Sequence, residues 1–158
     1  RQYYNLMINN LEILREKIKE EMNTNSNLET NSTLKILSNY TGTDWKKYIK
    51  LDDNKYSKIK VCEENNFDMF VITWNKYQQS PIHDHSSNGC IYKIMKGNLE
   101  ETIFNKELEW THRKNMQENC STYISDKIGY HSIKNINNDI SVSLHIYSPP
   151  GYITNYFN

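Results

Sequence analysis

The stretch Pro81-Ile82-His83-Asp84-His85 is where this sequence first suggests chemistry. Two histidines at spacing two on an extended strand project from one face, so both imidazoles can reach a single metal ion, while Asp84 points the other way. Such a pair carries little weight by itself, because buried histidines often do no more than satisfy hydrogen bonds. The chain holds five histidines, and four fall in two apolar, strand-like neighbourhoods: His83 and His85 in one, His131 and His145 in the other. Spacing alone leaves open which downstream histidine completes a metal site. Cys62, Cys90 and Cys120 are odd in number and widely separated, which argues against both a disulfide framework and a thiolate zinc site and for a reducing compartment.

The elements that must position these side chains fall into two parts. From Tyr4 through Met7, Leu11, Leu14 and Ile18 to Met22, apolar residues recur at spacings of three and four, which predicts an amphipathic helix. A polar loop follows over 23–31. Ser32 or Thr33 is then placed to cap a short helix carrying Leu34, Ile36 and Leu37, and Thr43 or Asp44 a third turn with Trp45 and Tyr48. Beyond about residue 56 the pattern shifts to short runs of Val, Ile, Tyr, Phe and Thr between Asn, Gly, Asp and Lys clusters. Strands are predicted at 57–62, 67–74, 82–85, 89–96, 98–104, 107–113, 120–125, 130–135 and 140–147. Lys96-Gly97-Asn98 reads as a hairpin turn. The expectation is a mainly β protein, an antiparallel sandwich or barrel over 56–150 behind a helical part over 1–50, in one domain of 158 residues.

Nineteen basic and nineteen acidic residues cancel, so no bulk attraction to nucleic acid or anionic lipid is expected, and a small neutral or zwitterionic ligand fits better. The longest apolar runs fall far short of a membrane span and no signal segment opens the chain, so a soluble, cytoplasmic protein is expected.

The wider spacing around the histidines is more specific. His83 and His85, a special residue five places later, and a glycine seven beyond that resemble the first cupin motif; His131 followed by Asn135 resembles the second. The special residue is commonly a glutamate in cupins and is Cys90 here. Ser80-Pro81-Ile82-His83-Asp84-His85 with Cys90, then Lys96-Gly97-Asn98-Leu99-Glu100-Glu101-Thr102, resembles the cysteine dioxygenase family. Ser143-Leu144-His145-Ile146-Tyr147-Ser148-Pro149-Pro150 resembles that family's serine, histidine and tyrosine at alternate positions, ending in a serine–proline bond that is often cis.

That resemblance implies a cupin barrel, or double-stranded β-helix, over roughly 40–150, and an iron(II)-dependent enzyme that oxidises L-cysteine with O2 to cysteine sulfinic acid. It implies one Fe(II) per chain, held by His83, His85 and His131 as a neutral three-histidine face. It further implies a thioether joining Cys90 to Tyr147, and a monomer whose partners are a small thiol amino acid and O2. Without the crosslink, Cys90 reads as a small buried hydrophobe. Ser143, His145 and Tyr147 alternate along one strand, so a hydrogen-bond relay to the phenol is geometrically feasible.

Two departures and one shared residue bear on the substrate. Cysteine-specific members carry an arginine two residues after a tyrosine, where this chain reads Tyr56-Ser57-Lys58. Lys58 supplies the charge for a substrate carboxylate without a rigid fork, and a shifted alignment would give that role to Lys60 or Lys55. Trp74 stands where the family has a pocket tryptophan, and reads equally as core. The sequence stops eight residues after Pro150, whereas relatives generally continue through a strand-rich tail, so a more solvent-open site is expected. Alternative readings are dioxygenation of 3-mercaptopropionate or cysteamine, and a non-catalytic cupin that binds a metal and a thiol.

Overall fold

A computed structural model describes residues 7–157. Helix α1 runs Leu11–Thr24, with the Asn10 side chain accepting from the Ile13 N–H at 2.8 Å to cap its first turn. Its buried stripe is Leu11, Leu14, Ile18 and Met22; Tyr4, where the predicted helix begins, lies outside the described residues, and Met7, expected on the helix, precedes it and is exposed, because the Asn10 cap starts the helix only at Leu11. Helix α2 spans Asn31–Ser38 and starts at Thr30, not at Ser32 or Thr33. Thr33 is inside the helix, and its hydroxyl donates back to the Leu28 carbonyl at 3.3 Å. A 3-10 turn over Asp44–Tyr48 buries Trp45, and Asp44 accepts from the Leu11 N–H at 2.8 Å, tying this turn to α1.

Ten strands follow: β1 Ser57–Glu63, β2 Asp68–Trp74, β3 Ile82–His83, β4 Cys90–Lys96, β5 Leu99–Phe104, β6 Trp110–Met116, β7 Ser121–Ile124, β8 Tyr130–Lys134, β9 Ser141–Tyr147 and β10 Tyr156–Phe157. They form two five-stranded antiparallel sheets, ordered β1-β2-β9-β4-β7 and β10-β3-β8-β5-β6. Gly97 makes the expected β4–β5 turn at φ 74°.

Three strands differ from the sequence expectation. The run 82–85 is a strand only to His83, because tertiary partners take the next backbone donors: the Asp84 N–H donates to the Asn155 carbonyl and the His85 N–H to the Asp126 carboxylate. The strand expected at 107–113 lies at 110–116, since the Asn105 side chain accepts from the N–H groups of Glu107 and Glu109 and extends the preceding turn. Strand β10 has no sequence signal of its own.

Period-two alternation sorts the side chains. On β9, Val142, Leu144 and Ile146 belong to the core that the helices cover, together with Met69 and Val71 of β2 and Ile91 of β4. Ser143, His145 and Tyr147 therefore face the other way, between the sheets. There a second core holds Ile72, Trp74, Tyr92, Leu99, Ile103 and Ile133, and the Cys90 thiol packs beside it. The helices free one face of the first sheet from solvent and leave its opposite face for polar chemistry.

Candidate metal centre

His83 closes β3, His85 lies just beyond it, and His131 sits on β8 directly across from His83. Their ligand nitrogens all lie within 4.8 Å of one another. Each outer nitrogen is tied to an acceptor: His83 Nδ1 to the Pro81 carbonyl at 2.8 Å, His85 Nδ1 to Asp126 at 3.0 Å, His131 Nδ1 to Glu101 at 2.8 Å. Those acceptors place the ring protons on Nδ1 and turn the Nε2 lone pairs inward. His85 Nε2 is buried without a partner, and His83 Nε2 and His131 Nε2 stand 2.9 Å apart. Two inward lone pairs at that distance repel unless a cation lies between them, and 2.9 Å is close to the spacing of adjacent ligands held about 2.1 Å from one ion. The residues present fit a metal ion.

Burial and the neighbouring His131 lower the pKa of His83 well below the ordinary value and that of His85 to about 4, so both rings stay neutral, the form that binds metal. Burial pushes the Glu101 carboxyl up, but hydrogen bonds from His131 and the Tyr92 hydroxyl outweigh it and hold the pKa down near 2. Glu101 thus remains an anion behind His131.

The pocket that these histidines enter also collects Tyr56, Lys58, Trp74, Cys90, His145 and Tyr147. Cys90 and Tyr147 are direct partners between β4 and β9. The Lys58 ammonium sits 4.3 Å from the Tyr147 ring centroid and 4.5 Å from that of Phe70, within cation–π range. Although Lys58 as a residue stays exposed, desolvation around its ammonium lowers its pKa against the pull of Cys90 and Asp68. Lys60 instead pairs with Glu63 at 2.6 Å, and Lys55 lies on the exposed approach to β1. Tyr56 stacks on Trp74 with centroids 4.5 Å apart.

Trp74, Ser143, His145 and Tyr147 form one hydrogen-bonded row. The indole Nε1–H donates to Ser143 Oγ at 3.0 Å, Ser143 Oγ meets His145 Nε2 at 2.7 Å, and His145 Nδ1 meets the Tyr147 hydroxyl at 3.3 Å. Because indole only donates, Ser143 is free to point its own proton at His145. Nδ1–H then faces the phenol oxygen, and the phenol proton is left for a ligand.

Sequence reasoning missed several contributors. Asp126, Tyr92 and the residues 152–156 reach the site through contacts distant in sequence, for which no local signal exists. Glu101 was named only within the motif that follows Gly97; it lies on the same buried face of β5 as Leu99 and Ile103, and its role as the partner of His131 was not legible. Tyr152, Thr154 and Tyr156 line the pocket mouth, so residues after Pro150 already return over the site that was expected to stand more open.

Comparisons with known proteins bear on the family and the fold. The model of the family "Cysteine dioxygenase type I" matches residues 8–158. Cysteine dioxygenase type 1 of Homo sapiens is 36% identical over 116 residues, covering 68% of this chain and 58% of the human protein. The chain thus spans less than two thirds of the curated relatives it matches. Among solved structures, a protein with a double-stranded β-helix domain from Klebsiella pneumoniae superposes with a TM-score of 0.62 at 12% identity, covering 72% of this chain and 94% of its own. A cupin-family protein with a double-stranded β-helix fold from Methanocaldococcus jannaschii gives 0.50 at 22% identity, over 64% of this chain and 86% of its own. These structural likenesses speak for the fold alone.

Proposed function

This chain belongs to the cysteine dioxygenase family, and from that premise we propose that it is an iron(II)-dependent thiol dioxygenase converting L-cysteine and O2 to cysteine sulfinic acid. One observation carries the reading: His83, His85 and His131 converge on a pocket that also holds Cys90, Tyr147 and Lys58. His83, His85 and His131 would hold the ion. Three imidazole ligands with no carboxylate among them would leave the ion its positive charge, and the chemistry it would supply when bound is the reaction of dioxygen with a thiolate. The balance is one thiol and one O2 in, one sulfinic acid out, with both oxygen atoms on sulfur.

The protein's own groups do the rest. Lys58 meets the substrate carboxylate as a point charge. Ser143 and His145 hold the Tyr147 phenol so that its proton faces the ligand, and Trp74 and Tyr56 wall off water. The Cys90–Tyr147 thioether belongs to this proposal and would fix the ring further. The absence of a disulfide framework suits a reducing compartment such as the cytoplasm, and a monomer supplies every residue invoked.

Lysine in place of arginine favours a second reading, a small thiol other than cysteine. Oxygen uptake and sulfinate formation by the iron-loaded protein, compared for cysteine, 3-mercaptopropionate and cysteamine, decide between them. Fastest turnover of cysteine supports the proposal; turnover of another thiol alone reassigns the substrate; bound iron without any turnover leaves a metal- and thiol-binding cupin.

A further inference from the structure

Residues 151–157 cross the mouth of the pocket with little apolar support. Ile153 is 86% exposed and Tyr156 57% exposed, and β10 pairs with β3 over two residues only. The Gly151 N–H donates to Asp68 at 2.9 Å at one end and Phe157 stacks on Tyr130 at the other; between them, the buried carboxylate of Asp84 ties the crossing down. Its Oδ1 accepts from the Asn155 backbone N–H at 2.9 Å, and its Oδ2 accepts from the Tyr152 hydroxyl and the Asn155 side-chain amide, each at 2.8 Å. The Asp84 N–H returns a bond to the Asn155 carbonyl at 3.2 Å. Three side-chain-directed bonds converge on this one carboxyl group, more than the segment makes to any other side chain described.

The latch is coupled to the site by strand geometry. Asp84 stands between His83 and His85 with its side chain opposed to theirs, so one short segment sends two imidazoles inward and clasps the chain above them. The clasped segment then supplies Thr154 and Tyr156 to the pocket mouth, with the Tyr156 ring 5.9 Å from that of His83. The free volume beneath is about 30 Å³. An ordered water needs roughly 10–15 Å³ on the same measure, so the space under the strap is small, and bulk on a ligand beyond a small thiol would press against Thr154 and Tyr156.

We propose that Asp84 is a positioning residue that latches residues 151–157 over the pocket as a strap, and that the latched strap sets the upper size of the thiol admitted. The ligand's identity as a thiol rests on the function proposed above; the latch does not.

Two measurements on the full chain test this. Hydrogen exchange is followed across 151–157 in the metal-free protein, and binding of cysteine and of the bulkier glutathione to the iron(II)-loaded protein is measured by anaerobic calorimetry. Asp84→Asn probes the latch directly. Because it neighbours two histidines, the double variant Tyr152→Phe/Asn155→Ala removes the same bonds from the strap side, and its iron content per chain is expected to match wild type. In both variants, exchange over 151–157 should accelerate at least about tenfold while β8 and β9 keep their protection. The preference for cysteine over glutathione should fall at least about fivefold. Unchanged exchange in the double variant overturns the latch. Faster exchange with an unchanged preference overturns the size limit, as does a wild type that binds neither thiol. Cysteine binding followed by no oxidation once O2 is admitted to the same iron-loaded protein would instead contradict the proposed dioxygenase and leave the strap standing.

Discussion

Cys90 and Tyr147 are direct partners across β4 and β9, so the buried thiol and the phenol ring share one face of the first sheet inside the pocket. Directly opposed residues in an antiparallel pair have Cβ atoms about 4.5–5.5 Å apart, close enough for a side-chain bond to form without moving the strands. Turnover with iron, thiol and O2 is therefore expected to yield a chain lighter by two hydrogen atoms, with the peptides carrying Cys90 and Tyr147 joined. Intact-mass and peptide mass spectrometry check this. Cys90→Ser should show neither change, and separate peptides in wild type after extended turnover would rule the thioether out.

Removing an imidazole from the triad should remove the ion. His85→Ala leaves two of three inward nitrogens, and stoichiometric metal after gentle purification is expected to disappear. Glu101→Gln keeps the shape but removes the charge behind His131, and should weaken metal affinity by about 10–100-fold. Metal content by elemental analysis, with circular dichroism as a check on folding, measures both. Full metal in His85→Ala would contradict the three-histidine assignment.

Lys58 is expected to act on affinity through the substrate carboxylate. A hydrogen bond to a charged group is worth about 1.5–3 kcal/mol, so Lys58→Ala should raise KM for cysteine roughly ten- to hundredfold. Cysteamine, which lacks the carboxylate, should be nearly indifferent. Lys58→Arg should lower KM for cysteine if a planar fork fits between Phe70 and Tyr147. Equal effects on both thiols would show that Lys58 works otherwise.

Burial holds the His145 pKa well below its ordinary value of 6.5. The unfolded chain therefore binds a proton below about pH 6.5 that the folded chain refuses. The resulting stability is fully present above the unfolded pKa and is lost as pH falls below it. Denaturant midpoints of the metal-free protein are expected to drop between pH 7.5 and 5.5, and to drop less in His145→Gln, which keeps hydrogen-bonding capacity without the titration. Parallel pH slopes for the two proteins would refute this role for His145.

Much of this arrangement was legible because the relevant periods are short. Alternation along 140–147 separates Val142, Leu144 and Ile146 from Ser143, His145 and Tyr147, and the same period places His83 and His85 inward with Asp84 opposed. Conversely, the 82–85 run loses its second half as a strand because Asn155 and Asp126, far along the chain, claim the backbone donors of Asp84 and His85. Strand β10 follows the same logic: a two-residue pairing with β3 is a tertiary event with no periodic trace. The role of Glu101 has no local signal, because it is β8, 30 residues on, that brings His131 against it.

The most direct test of thiol dioxygenation follows the oxygen atoms. The protein is loaded with iron(II) under anaerobic conditions, mixed with cysteine, and exposed to isotopically labelled O2 in unlabelled water, with the product read by mass spectrometry. Cysteine sulfinate carrying label at both oxygen positions, with one O2 consumed per thiol, is the expected result. Sulfinate with oxygen drawn from water, or unreacted cysteine above fully iron-loaded protein, would contradict it.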